Sequence, residues 1–347
     1  MKKQSLFTVL VLLFLNTHGQ IDFKSRFQSL KKEEKTQFKI PFNDHLGNEG
    51  TLPVALFKGT AEGPVFTFLA GVHGCEYAPI IAVQNLIQHI DLRKLKGTLI
   101  ILPISSTGSF YTRTPYKNGQ DKTNLNGTFP GNKEGTITQK VAHYITTNII
   151  PVSDVFLDIH SGDAPEDLLP FICYYNNQRQ KENTAMAKRL SEISGFQYVV
   201  SYPYSITDDE PAKYAFKQAV QDGKIALSIE SGRLGIVEEE TVDLIEKGVL
   251  NMLHEMEMYE QQTPPHPNRI YLNHQLYIRA QEKGIFYSKL KAGDQVNKGE
   301  KVGYTTDEFG TVIEEHFAPQ TGIILYKLST PPINAGDTVM CVSSLKE

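Results

Sequence analysis

The stretch Val65-Phe66-Thr67-Phe68-Leu69-Ala70-Gly71-Val72-His73-Gly74-Cys75-Glu76 decides how this chain is read. Its apolar run, 65–69, has the composition of a strand. After Glu76, residues Ile80, Val83, Leu86, Ile87 and Ile90 recur at helical spacing and give one apolar face. A strand, a tight turn and a helix thus place an imidazole and a carboxylate together at a strand end. Both groups are good zinc ligands. Gly71 and Gly74 let the backbone turn sharply and approach an ion closely. A His and a Glu three apart also occur by chance, so the rest of the chain must supply another ligand and a base.

Working outward, the same alternation repeats. Strands are expected at 53–57, 98–102, 155–159 and 225–229, with a turn at 59–63. Helices are expected at 138–149, 184–194, 212–221 and 239–259. Residues 21–40 read as a leading strand or helix with loops. Residues 105–135, rich in Gly, Asn, Thr and Pro, read as a long loop of the kind that is functional or disordered. The fold class that follows is α/β: a mostly parallel or mixed sheet sandwiched by helices, spanning residues 20–262.

In open α/β sheets, sites collect at the carboxyl ends of strands. His73 and Glu76 follow one strand, His160 ends a second (155–159), and Glu230 ends a third (225–229). Two His and one Glu with an open fourth position form a catalytic zinc set. Taken singly, His160 reads equally as a satisfied strand-end histidine and Glu230 as a turn cap. Asp158, two residues before His160, either orients that imidazole or holds a loop. Cys75 reads as a small packing residue under the turn.

Composition narrows the function classes. The 347 residues are 40% hydrophobic and 21% charged, with a formal net charge of -4. That balance carries no footprint for nucleic acid or for anionic membrane. Three cysteines (Cys75, Cys173, Cys341) are too few and too scattered for a disulfide scaffold. Residues 1–19 read as a secretory signal: Lys2 and Lys3, an apolar core from Leu6 to Leu15, then Thr17-His18-Gly19 before a cut at Gln20. The apolar core is short for a bilayer span, so an exported protein with no membrane span in its mature part is expected.

Thr263-Pro264-Pro265-His266-Pro267 is a stiff break, after which short strands and glycines dominate. Ala292-Gly293-Asp294-Gln295-Val296 and Ala335-Gly336-Asp337-Thr338-Val339 are near copies. Residues 263–347 therefore resemble the small β-barrel of biotinyl and lipoyl domains. The stretch 305–310, where a carrier needs its modifiable Lys, has none, so a structural or substrate-gating module is expected.

Gly71 to Glu76, Asp158-Ile159-His160 and Ile229-Glu230-Ser231-Gly232 together resemble the succinylglutamate desuccinylase/aspartoacylase family, within the zinc carboxypeptidase-like hydrolases. The loop Asn124-Leu125-Asn126-Gly127-Thr128-Phe129-Pro130-Gly131 resembles that family's Asp/Asn-Leu-Asn-Arg-x-Phe-Pro-Gly signature. The likeness covers roughly residues 50–345. It implies one zinc per chain on His73, Glu76 and His160, with Glu230 as general base. It implies that Arg113 polarises the scissile carbonyl and that Asn126 positions substrate. One departure matters: Gly127 stands where the family has an Arg that grips the substrate's carboxylate, so that bidentate clamp is gone. Arg233 is a candidate replacement, although a surface charge after a turn is the simpler reading.

The expected function is zinc-dependent cleavage of an amide bond in an N-acyl amino acid or related small amide. Water acidified by zinc to a pKa of about 7 would attack, and Glu230 would shuttle the proton to the leaving amine. A zinc carboxypeptidase acting on peptides or cell-wall fragments is an alternative, disfavoured by the missing arginine. A non-catalytic metal-containing binding protein is another, disfavoured by the retained base.

Overall fold

The computed structural model describes residues 22–260 and 268–345. The expected signal at 1–19 and the break at 263–267 lie outside the described residues. The chain begins with α1 (Phe23–Ser29), β1 (Glu34–Asn43), β2 (Glu49–Lys58), β3 (Ala61–Ala70), α2 (Tyr77–His89), β4 (Lys96–Leu102) and α3 (Thr107–Thr112). It continues with α4 (Ile137–Tyr144), β5 (Val155–His160), β6 (Glu166–Leu168), β7 (Phe171–Asn176), α5 (Lys181–Ile193), β8 (Tyr198–Pro203), α6 (Ala215–Gln221), β9 (Ile225–Glu230) and α7 (Glu239–Glu255). The C-terminal part adds β10 (Ile270–Arg279), β11 (Gly284–Tyr287), β12 (Gln295–Val296), β13 (Lys301–Thr306), β14 (Val312–Phe317), β15 (Gly322–Leu328), β16 (Pro332–Ile333) and β17 (Thr338–Leu345).

One sheet of thirteen strands runs β1-β2-β4-β3-β5-β9-β7-β8-β10-β17-β15-β12, with β6 also on β15. It is mixed. Strands β4, β3, β5 and β9 are mutually parallel, and β7, β8 and β10 form a second parallel block. The blocks meet antiparallel at β7–β9, and the outer strands are antiparallel as well. The parallel expectation therefore holds for the centre, where helical crossovers connect the strands. On the flanks β1 and β2 form a hairpin, and the other antiparallel pairs join strands that are not consecutive in the chain.

Strand β5 is buried along its whole length, as a strand covered on both faces should be. Its alternation sorts the two cores. Val155, Leu157 and Ile159 join a cluster with α2, α5 and α7, while Phe156 faces one with α1, α4 and α6. Each fully buried side chain of this size contributes roughly 1.5–3 kcal/mol. With period two, Asp158 and His160 fall on the α4/α6 side of β5. The register pairs His160 with Glu230 and Asp158 with Ser228 on β9.

Several local expectations are corrected. The turn at 59–63 shrinks to Gly59 and Thr60, because β3 already starts at Ala61. The loop 105–135 contains α3, and residues 21–40 hold both α1 and most of β1, which pairs with β2 over ten residues. Strands β6, β7 and β8 were not anticipated.

The C-terminal part is a second sheet, β14-β13-β11-β16, facing β12, β15 and β17 across a core of Phe286, Val302, Ile324, Ile333, Val339 and Val342. The near-repeat is real structure. Asp294 accepts from the Lys291 amide and Asp337 from the Asn334 amide, both at 2.8 Å, so the two copies build the same turn before β12 and β17. This module is also sewn into the large sheet, since β10 pairs parallel with β8 at Ile270, Tyr271 and Leu272.

Candidate metal centre and active-site cleft

The turn after β3 is shaped by two glycines. Gly71 has φ +63°, and a Cβ on Gly74 would lie 2.4 Å from the Ser109 carbonyl oxygen. Only glycine permits the first conformation readily and the second approach at all. Glu76 occupies the N-cap position of α2 but makes no side-chain cap bond. Its carboxylate turns instead to two histidines. Glu76 Oε1 lies 2.7 Å from His73 Nδ1, and Oε2 lies 3.1 Å from His160 Nδ1. Ligand atoms of all three residues fall within 4.8 Å of one another, and all three side chains are buried.

The outer ring nitrogens are also held. His73 Nε2 faces Asn124 Oδ1 at 3.2 Å, and His160 Nε2 stands 2.9 Å from Asp158 Oδ1. Asp158 is fully buried, and its oxygens have no in-line hydrogen-bond donor; the contact with His160 is electrostatic. It therefore serves the imidazole and holds no loop. The Asn124 oxygen beside His73 Nε2 and the Asp158 charge beside His160 Nε2 favour hydrogen on the outer nitrogens, which would leave both Nδ1 lone pairs for a cation.

The electrostatics are those of a cation site. Burial pushes the Glu76 carboxyl up, yet His73 and His160 outweigh it and hold it down at about 2. Burial pushes both imidazoles down; Glu76 more than reverses this at His73, and Asp158 and Glu76 do so at His160. Two inward nitrogens and two carboxylate oxygens crowding one point need either shared protons or a metal ion between them. Zinc fits this donor set. Cys75 is buried beside the turn and stays outside the ligand cluster.

The cluster opens on a cleft of about 210 Å³ lined by His73, Glu76, Tyr116, Asn126, His160, Glu166 and Glu230, among others. Glu230 sits beside His160 across the β5–β9 pair. Burial raises its carboxyl well above the ordinary range; His160 opposes this, while Glu76, Glu166 and Asp158 add to it. Asn126 lines the cleft with a buried, unpartnered Oδ1, and its amide donates to Asn124 Oδ1 at 2.8 Å. Arg113 is not among the lining residues. It is exposed in the left-handed C-cap of α3, with φ +53°, where its charge acts on Tyr77. Arg233 pairs with Glu238 at 3.1 Å and Asp167 at 3.8 Å, as a surface charge.

Sequence reasoning missed the rest of the cleft. Tyr116 and Glu166 lie within it, and Leu325, Tyr326, Tyr277 and Cys341 reach it from the C-terminal module. Tyr116 follows Arg113 by three residues and Glu166 follows His160 by six, but neither carries a motif. The C-terminal residues become neighbours through long-range strand pairings, β6 with β15 for Leu325 and Tyr326, and β8 with β10 and β10 with β17 for Tyr277 and Cys341.

Residues 62–256 match the family model of the succinylglutamate desuccinylase/aspartoacylase catalytic domain. The chain belongs to that family. It is therefore an enzyme of amidohydrolase type. It is 30% identical over 323 residues to N-alpha-acetyl-L-2,4-diaminobutyric acid deacetylase of Halomonas elongata, covering 89% of this chain and 91% of that relative. Among solved family structures, a succinylglutamate desuccinylase from a Silicibacter species superposes with TM-score 0.81 at 22% identity, covering 91% of this chain and 97% of its own. The product-bound ectoine utilization protein EutE (DoeB) from Ruegeria pomeroyi gives TM-score 0.80 at 23% identity, with the same coverages. These two likenesses establish the fold. Among the described residues, no helix is long and apolar enough to cross a membrane.

Proposed function

We propose that this enzyme is a zinc-dependent deacylase that hydrolyses the amide bond of a small N-acyl amino acid. The observation that carries the proposal is the buried His73–Glu76–His160 cluster with Glu230 beside it on the neighbouring strand. His73 and His160 would hold the ion through Nδ1 and Glu76 through its carboxylate. Such an ion supplies Lewis acidity, polarising a carbonyl and acidifying water. Glu230 then takes a proton from the attacking water on its carboxylate and delivers it to the departing amine. Burial, which raises its proton affinity, suits delivery to the amine, and a cation at the neighbouring histidine cluster would lower that affinity for the uptake step.

Asn126 is assigned to substrate positioning, since the residue lines the cleft. Arg113 is assigned to the scissile carbonyl, a role that requires its exposed side chain to swing over the cleft on substrate binding. The Halomonas relative, named for an acetylated diamino acid, supports the N-acyl amino acid class. The proposal extends to export, on the charged and apolar pattern of residues 1–19; recovery of protein beginning at Gln20 outside the cytoplasm tests it.

The test is hydrolysis by the zinc-loaded protein and by Glu230→Gln on N-acetyl and N-succinyl amino acids, their carboxamides and dipeptides. Release of free amine that disappears in the variant supports the proposal. Turnover of dipeptides alone would favour a carboxypeptidase instead. A chain that binds zinc one to one and cleaves none of the panel would overturn it.

A further inference from the structure

The cleft has a one-sided charge inventory. Glu76, Glu166 and Glu230 line it, and among the described residues no Arg or Lys does. Arg113, assigned to the scissile carbonyl, stands outside the lining, and neither position considered for a carboxylate clamp supplies a cation. Gly127 offers no side chain, and Arg233 is engaged by Glu238 and Asp167. A divalent ion at the histidine cluster offsets Glu76 and one further carboxylate at most, and Glu166 is not part of that cluster.

Glu166 is also built in. It starts β6, whose pairing with β15 sets Glu166 opposite Leu328. Its Oε1 accepts from the Tyr116 hydroxyl at 2.9 Å and its Oε2 from the Asp163 amide at 2.9 Å. One partner per oxygen leaves acceptor capacity on both, since a carboxylate takes about four hydrogen bonds. The wall therefore presents acceptors and negative charge, the complement of an ammonium group.

We propose that Glu166 is a specificity-determining residue that selects N-acyl substrates carrying a positive charge, such as an Nα-acylated diamino acid. This rests on the deacylase reading for the acyl group and on the cleft alone for the charge. The negative cleft repels the acidic side chains that an arginine at position 127 would have held.

The test compares Nα-acetyl-2,4-diaminobutyrate with its neutral isostere Nα-acetylnorvaline and its anionic counterpart Nα-acetylglutamate. Zinc-loaded wild type and Glu166→Gln are assayed, with circular dichroism confirming the fold of the variant. The expected wild-type order is cationic, then neutral, then anionic. Glu166→Gln should lower kcat/KM for the cationic compound about 10- to 100-fold through KM, the range of a charged hydrogen bond, and leave the neutral compound within about twofold. Equal loss on all three substrates would mean a structural role for Glu166 and would overturn the proposal. So would a wild type that prefers the neutral or anionic compound, an outcome readable even if the variant fails to fold.

Calorimetric binding of free 2,4-diaminobutyrate and norvaline separates this proposal from the deacylase reading. If diaminobutyrate binds preferentially and Glu166→Gln abolishes that preference while no acyl compound is cleaved, the deacylase reading fails and cation selection stands. If acyl compounds are cleaved without regard to charge, the reverse holds.

Discussion

The two walls of the cleft are made differently. The wall that holds His73, Glu76, His160 and Glu230 comes from the ends of three adjacent parallel strands, fixed by register and buried on both sides. The facing wall is assembled from a loop, a three-residue strand and the C-terminal module: Tyr116, Asn126, Glu166, Tyr277 and Tyr326. Strand ends position atoms tightly, as reacting groups need. A wall borrowed from loops and a second module changes residue by residue without disturbing the sheet. On the proposed reading the chemistry belongs to the first wall and the choice of substrate to the second.

The largest expected effect lies on the chemical wall. Glu230→Gln should lower kcat by about 10²- to 10⁴-fold, the usual yield of a general base, while metal analysis still finds one zinc per chain. Loss of the zinc together with activity would instead make Glu230 a structural support of the metal site.

The outer nitrogens give the next test. Asp158→Asn and Asn124→Ala should each weaken zinc binding about 10- to 100-fold, measured by competition with a chelator. Asp158→Asn should be the more severe, because it removes a full charge from a fully buried partner of His160. If neither matters, the two ligands are held by packing alone.

A smaller change is expected on the recognition wall. A Cβ at Gly127 would find only the Asn124 carbonyl, 3.7 Å away, and the residue is exposed. Gly127→Arg should therefore fold normally and raise kcat/KM for Nα-acetylglutamate about tenfold, since a guanidinium grips a carboxylate through paired bonds. No gain would show that position 127 does not overlook the substrate.

The smallest effect concerns Glu166 in metal-free protein. Burial raises its carboxyl to about 7, although the Asp163 amide and Tyr116 hydroxyl pull it back. A raised folded pKa gives stability that is complete below the unfolded value and is lost as pH rises through about 7. Thermal melts of Glu166→Gln against wild type should thus shift in favour of the variant by a few degrees between pH 5 and pH 8. A pH-independent difference would mean that Glu166 is fully ionised throughout.

The chemical wall was legible in the sequence because its residues end apolar runs. His160 and Glu230 stand directly after five-residue strand cores, and the glycines around His73 mark a turn. Hydrophobic periodicity carries that information locally. Glu166 and Tyr326 were not legible, since what joins them is a pairing between strands some 160 residues apart. The short β6 has no periodicity to betray it. The mixed character of the sheet was hidden for the same reason: a hairpin such as β1–β2 and the β10–β8 pairing are settled by tertiary partners.

That long-range pairing sets a timetable for the molecule's birth. Every proposed zinc ligand and the proposed base have been synthesised once Glu230 is made, while β15 is nearly a hundred residues away. At about 5–20 residues per second, roughly 5–20 s pass before the strand that pins Glu166 is complete. Throughout that interval the nascent chain holds the parts of a reactive centre without the wall that tells one substrate from another. The discriminating half of the enzyme is finished last.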